Sequence, residues 1–158
     1  MLKYPGRFIF AVIASAILVF WLVNHFSEND QTRIRRVLYA AIYGIEKADA
    51  ARYSRILSDH YQDDQGNTKR DLLSLAARTF RDFKPFKVEI KRLEIKPDGQ
   101  KAESEIAYRC LLRKSGEDKI YYDAAKIEAF WEKETSGWKI VRIEYTNSQD
   151  MLFLPSVA

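Results

Sequence analysis

Hydrophobic residues change their spacing at Pro85, and that switch confines the chain to few architectures. Before it, Ile34, Val37, Leu38, Ala41, Ile42 and Ile45 recur three and four residues apart, the spacing of one face of an α-helix. Leu72, Leu73, Leu75, Ala76, Phe80 and Phe83 repeat that spacing up to the proline, which a helix does not pass. Between them, Asp49 is placed to cap a shorter helix that carries Tyr53, Ile56 and Leu57 to about Asp59. Ser27 with Asp30 and Thr68 with Asp71 have capping-box spacing, and Tyr61 to Asn67 is rich in turn residues. After the proline, Phe86, Val88 and Ile90 alternate, and Leu93 and Ile95 continue one residue out of phase, which predicts a bulge near Lys91. Ala102, Ser104, Ile106, Tyr108, Cys110 and Leu112 then mark one face of a long second strand. A third strand is expected from about Lys119 to Lys133 and a fourth from Trp138 to Thr146, with turns at Pro97-Asp98-Gly99, Ser115 to Asp118 and Ser136-Gly137. The prediction is an α+β fold: three N-terminal helices packed on a curved, mainly antiparallel four-stranded sheet.

A second constraint precedes the first helix. Phe8 to Val23 is apolar but for Ser15, and with Asn24 to Phe26 it makes a tilted or slightly short span, long enough to cross a bilayer. Ala14-Ser15-Ala16 has the small-x-small form of a signal cleavage site, but the apolar run continues from Ile17 to Val23, so an uncleaved anchor is expected. Lys3 and Arg7 before it favour a cytoplasmic N-terminus and an exported domain, periplasmic or extracellular; Arg33, Arg35 and Arg36 oppose that and read as the solvated face of a helix. Trp21 and His25 suit the interface. The expected order is a tail over 1–7, a transmembrane helix over 8–26 that partners the lipid bilayer, one domain over 27–147, and an apolar tail over 148–158. That last tail, with Met151 to Leu154, is too short for a second span and is expected to touch the domain, another chain or the membrane.

The net charge of +4 is not a clue to a partner, because Lys3 and Arg7 leave 24 of the 26 basic residues beyond the span against 22 acidic ones. These charges are interspersed and form no stripe to follow a phosphate backbone, which argues against nucleic acid. Cys110 has no second cysteine to pair with and sits in an apolar strand pattern, the place of a buried thiol. With His25 and His60 far apart, no transition-metal site is expected, and Asp59, Asp63 and Asp64 lack the ligand spacing of a calcium loop. No phosphate loop, dinucleotide motif or nucleophile elbow appears, so no cofactor is expected.

Two segments, LSDHYQDDQG over Leu57 to Gly66 and GWKIVRIEY over Gly137 to Tyr145, taken with the order of elements, resemble the nuclear transport factor 2-like (SnoaL-like) superfamily across most of Glu28 to Asn147. The resemblance implies a cone-shaped fold, often dimeric, whose members include ketosteroid isomerase, SnoaL-like cyclases, ligand-binding modules and non-catalytic scaffolds. With a membrane anchor in front, the chain also resembles the scaffold subunits of type IV secretion systems, though it is shorter. In the isomerase-like enzymes a carboxylate base lies in the turn after the second helix, where Asp63 and Asp64 fall here; Tyr39 or Tyr43 would then donate to an oxyanion. No acid on the later strands is clearly inward by pattern, Asp123 being the one whose face is open, and the turn residues also read as an ordinary solvated turn.

The gap between helices and curved sheet is where a pocket belongs, and Tyr43, Tyr53, Phe80, Tyr108, Tyr122 and Trp138 are the aromatic candidates for its lining. The same residues suit a packed core. Lacking a convergent set of polar groups, the sequence favours a membrane-anchored, non-enzymatic binding or assembly domain of the cell envelope, holding a small apolar or peptide ligand or serving a homodimer or larger complex. The competing expectation is a tethered isomerase- or cyclase-like enzyme with Asp63 or Asp64 as base. A domain merely localised on the cytoplasmic face is the third.

Overall fold

Local sequence accounts for most element boundaries. A computed structural model describes residues 29–114, 116–117 and 120–146. The expected anchor, both tails and Ser27 lie outside them, and no helix among the described residues is long and apolar enough to cross a membrane. The first helix, α1, spans Asp30–Glu46 and is capped by Asn29, whose side chain accepts from the Gln31 N–H at 3.1 Å. It buries Ile34, Leu38, Ala41 and Ile42. At its end Ala48 takes φ 55°, and the N–H groups of Ala48 and Asp49 donate back to the Ile45 and Gly44 carbonyls at 2.9 and 2.8 Å, a Schellman closure.

Asp49 then caps α2, Ala50–Ser54, by accepting from the Arg52 N–H at 2.9 Å. This helix stops short of the expected Asp59 because the residues after it find other partners. Ile56 accepts from the Ile140 N–H at 2.8 Å, Ser58 donates to the Ile140 carbonyl at 2.9 Å, and Gln62 donates to the Val141 carbonyl at 3.0 Å. The segment thereby covers part of the exposed edge of the last strand. The third helix, α3, Lys69–Asp82, opens with the expected capping box of Thr68 and Asp71.

No loop follows α3. Strand β1 begins at Phe83 and runs to Asp98, earlier than the expected Phe86, since the residue before a proline is pushed toward extended backbone. Register slips between Phe83 and Phe86, an irregularity that accommodates Pro85, which has no N–H to give. Strands β2 (Lys101–Lys114), β3 (Ile120–Glu134) and β4 (Gly137–Thr146) complete an antiparallel meander in the order β1-β2-β3-β4. The architecture is α+β, three helices on a curved four-stranded sheet.

Two bulges set which residues face the helices. Ile90 pairs with Tyr108 and Arg92 with Ala107, so Lys91 is the extra residue, as its neighbours' pattern predicts. The slip keeps Val88 and Ile90 on the same inner face as Leu93 and Ile95. On β4, Ile140 pairs with Trp131 and Arg142 with Phe130, so Val141 bulges and keeps Trp138 and Ile140 on the inner face with Ile143. Both bulges increase local twist and bend the sheet round the helices.

Helix α1 is tied to that sheet at both ends. Asp30 accepts from Lys133 Nζ at 3.0 Å and Trp138 Nε1 at 3.1 Å, and Glu46 accepts from the Val88 N–H at 3.0 Å on the edge strand. Inside, Trp131 Nε1 donates to Ser104 Oγ at 2.8 Å, so the one serine hydroxyl in the apolar stripe of β2 is spent on the largest buried side chain. The outer face is a lattice of ion pairs, among them Arg109 with Glu89, and Lys126 and Arg92 with Glu105.

Candidate functional site

Where the helices diverge from the inner face of the sheet, they leave a cavity of about 310 Å³. Leu38, Ala41, Ile42 and Ile45 of α1 form one wall, and Leu72, Leu75, Ala76, Thr79 and Phe80 of α3 another. The floor is the sheet, from Val88 and Ile90 across Ile106, Tyr108 and Cys110 to Ile127, Ile143 and Tyr145. Exposed Leu75 and Tyr145 mark its mouth.

Few polar groups reach this lining: the phenols of Tyr53, Tyr108 and Tyr145, the Thr79 hydroxyl, the Cys110 thiol and the Asp123 carboxylate. Antiparallel register puts Asp123 directly opposite Cys110, with Tyr108 opposite Ala125 two residues along, so the three groups share one patch of the inner face. Burial pushes the Tyr53 phenol up to about 12, with the nearby Tyr145 a lesser cause. The Tyr108 phenol is raised by burial first and then by the negative charge of Asp123. Burial, then Asp123 and Glu46, hold the Cys110 thiol up to about 11, and Tyr145 is raised by burial and by Asp63, Asp64 and Asp123. All four groups therefore stay protonated at neutral pH, as hydrogen-bond donors rather than anions or nucleophiles.

Asp63 and Asp64 lie in the turn after the second helix, as expected, but away from the cavity wall. Asp63 is 6% exposed, but its Oδ1 accepts from the N–H groups of Gln65 and Asn67 at 2.9 and 2.7 Å and its Oδ2 from Asn67 Nδ2 at 2.8 Å. It holds its own turn closed. Asp64 is exposed, and neither acid lines the cavity. Of the aromatic candidates, Tyr53, Phe80 and Tyr108 line it. Tyr43, 48% exposed, lies outside it on α1 beneath the Arg52 guanidinium 4.8 Å from its ring; Tyr39 is exposed too. Tyr122 is 64% exposed, because odd-numbered residues of β3 face inward and even ones outward. Trp138, 2% exposed, packs in the core and bonds Asp30. Asp123, the acid whose face the sequence left open, is the one that lines the cavity. A period-two stripe of Asp123, Ala125, Ile127, Ala129 and Trp131 assigns its face, once the two buried members of that stripe are recognised. Among the described residues no cluster of three His, Cys, Asp or Glu could hold a metal ion.

No family model and no curated relative matches the sequence. Solved structures do match. A nuclear transport factor 2-like superfamily protein from Salmonella enterica serovar Typhimurium superposes with a TM-score of 0.65 at 16% identity, over 74% of this chain and 89% of that one. The fold is the nuclear transport factor 2-like fold. A candidate scytalone dehydratase from Novosphingobium aromaticivorans shares it with a TM-score of 0.64 at 14% identity, over 73% of this chain and 83% of that one. So does a candidate dehydratase of the same superfamily from Streptomyces avermitilis, with a TM-score of 0.61 at 10% identity over 71% of this chain and 91% of that one. At these identities the likeness concerns the nuclear transport factor 2-like backbone alone, a scaffold that fits an enzyme or a binding domain.

Proposed function

We propose that this domain is a small-molecule-binding module, held at a membrane by residues 8–26 and exported to the envelope side, whose cone cavity takes one largely apolar ligand. The observation that carries this reading is the cavity itself: about 310 Å³, open at one end, apolar on its walls, with three protonated phenols grouped on its floor and rim. That is the composition of a binding pocket, in which apolar area supplies affinity and a few donors set orientation. The engagement of Asp63 by its own turn supports binding over catalysis, since it removes the base that the turn was expected to supply.

An enzymatic reading rests on one specific feature, Asp123 beside the phenols. A carboxylate next to a neutral phenol suits proton abstraction beside a carbonyl, the acid taking the proton and the phenol donating to the enolate oxygen. Dehydratase-like structural neighbours favour the same class.

Native mass spectrometry of the full chain extracted in mild detergent tests the binding reading. The expected result is a small-molecule adduct that disappears in Ala76→Trp, whose indole would fill the cavity between α3 and the sheet. An empty homo-oligomer or heteromer that also binds none of a panel of apolar ligands would overturn it in favour of an assembly role as an envelope scaffold. A reporter active only outside the cytoplasm, fused to the C-terminus, tests orientation: activity supports export, and an expressed but silent fusion refutes it.

A further inference from the structure

We infer that the cavity prefers neutral or cationic amphiphiles over anionic ones. This deepens the binding reading and rests on it. The inference comes from the charges on the lining. Among the described residues, Asp123 is the only acidic side chain of the wall, and no Lys, Arg or His reaches it. The basic residues nearest to it along these strands point to the opposite face and are already engaged: Arg109, between Tyr108 and Cys110, with Glu89 at 2.8 Å, and Lys126 with Glu105 at 2.9 Å. Asp123 has no ion-pair partner among the described residues. Glu46, which accepts from the Val88 N–H, adds a second negative group nearby and acts with Asp123 on the Cys110 thiol.

A carboxylate or phosphate head entering this site would meet like charge with no cation to offset it, in surroundings less polar than water. An ammonium head would meet the Asp123 carboxylate and the electron-rich faces of Tyr108 and Tyr145. A hydroxyl or carbonyl head would accept from the protonated phenols and is tolerated between these extremes. Asp123 stands exposed at the mouth, so water screens it and the discrimination is moderate rather than absolute.

The test uses three ligands with one apolar skeleton and different heads: naphthylethylamine, naphthylethanol and naphthylacetic acid. Each is titrated calorimetrically at neutral pH and low salt against the full chain in an uncharged detergent, with Ala76→Trp as the background for uptake by micelles. The amine is expected to bind about fivefold or more tighter than the carboxylate, the alcohol lying between them. Asp123→Asn should narrow the spread to about twofold, and added salt should narrow it in the wild type. A carboxylate that binds as tightly as the amine, or a spread that survives Asp123→Asn, would overturn the inference while the alcohol still reports a working cavity. Binding of none of the three would sink the cavity reading itself, and the selectivity with it.

Discussion

Tyr61 carries a buried hydroxyl that nothing among the described residues uses, and removing it should make the protein more stable. The residue is 2% exposed, and its Oη has no hydrogen-bond partner among the described residues. Burial and the negative charge of Asp63 push its ionisation well above the ordinary phenol value, so the group is a neutral donor and acceptor with both capacities unmet. Leaving such a group buried costs about 1–3 kcal/mol relative to leaving it in water. Tyr61→Phe keeps the ring in the core and deletes only the oxygen, so part of that cost returns, offset by the small void left behind. The expected gain is about 1 kcal/mol, or a rise of roughly 3–6 °C in Tm for a domain of this size. Ser104→Ala is the counterpart: it strands the Nε1–H of fully buried Trp131, which now donates at 2.8 Å, and should cost about 1–3 kcal/mol. Urea unfolding followed by tryptophan fluorescence reads both, since Trp131 and Trp138 are buried in the native core. A loss of 1 kcal/mol or more in Tyr61→Phe would refute the reasoning, because it would mean that the hydroxyl has a partner, such as an ordered water.

Other outcomes follow from the same geometry. Gly44 sits where α1 meets α2, and a Cβ there would lie 3.0 Å from the Tyr53 backbone nitrogen and 3.2 Å from the Arg52 side chain; Gly44→Leu should cost about 2–3 kcal/mol by urea unfolding. Lys133 hydrogen-bonded to Asp30 holds that carboxyl below its ordinary 3.8, and Lys91 and Arg109 hold Glu89 down to about 2 against an ordinary 4.5. Both groups are depressed in the folded state, so their contribution is present above pH 4.5 and fades as pH falls toward 2; urea midpoints should drop through that window, less steeply in Asp30→Asn. Ala76→Trp should abolish binding of apolar ligands while leaving the unfolding midpoint level or higher, because it fills space that the wild type leaves open; a collapse of the midpoint would show that the cavity is smaller in solution.

What could be read from the sequence was what short stretches decide. Asp49 and the Thr68–Asp71 pair cap their helices where expected, since a cap needs only backbone within three residues of itself. The bulge at Lys91 showed as a phase slip, because the extra residue shifts the inner face by one position within the strand itself. The solved structures of similar fold bear out the resemblance at the level of the backbone alone. The end of α2 was not legible in the same way. Whether Ile56 to Gln62 stays helical depends on an edge of β4 that lies far along the chain, and its free carbonyls and N–H groups exist only once the sheet has formed.

The site divides along the same line. Sequence alone determined a helix-then-sheet chain, an inner stripe on β2 that includes Tyr108 and Cys110, and a shortlist of acids. Tertiary structure decided which acid meets the cavity. Asp63 was drawn into its own turn by three short-range hydrogen bonds, while Asp123 was carried to the inner face by its pairing with Cys110 across the β2–β3 register. The physical reason is range: turns and caps are settled by neighbours in sequence, whereas a cavity and the charge inside it belong to strands and helices that meet only in the folded chain.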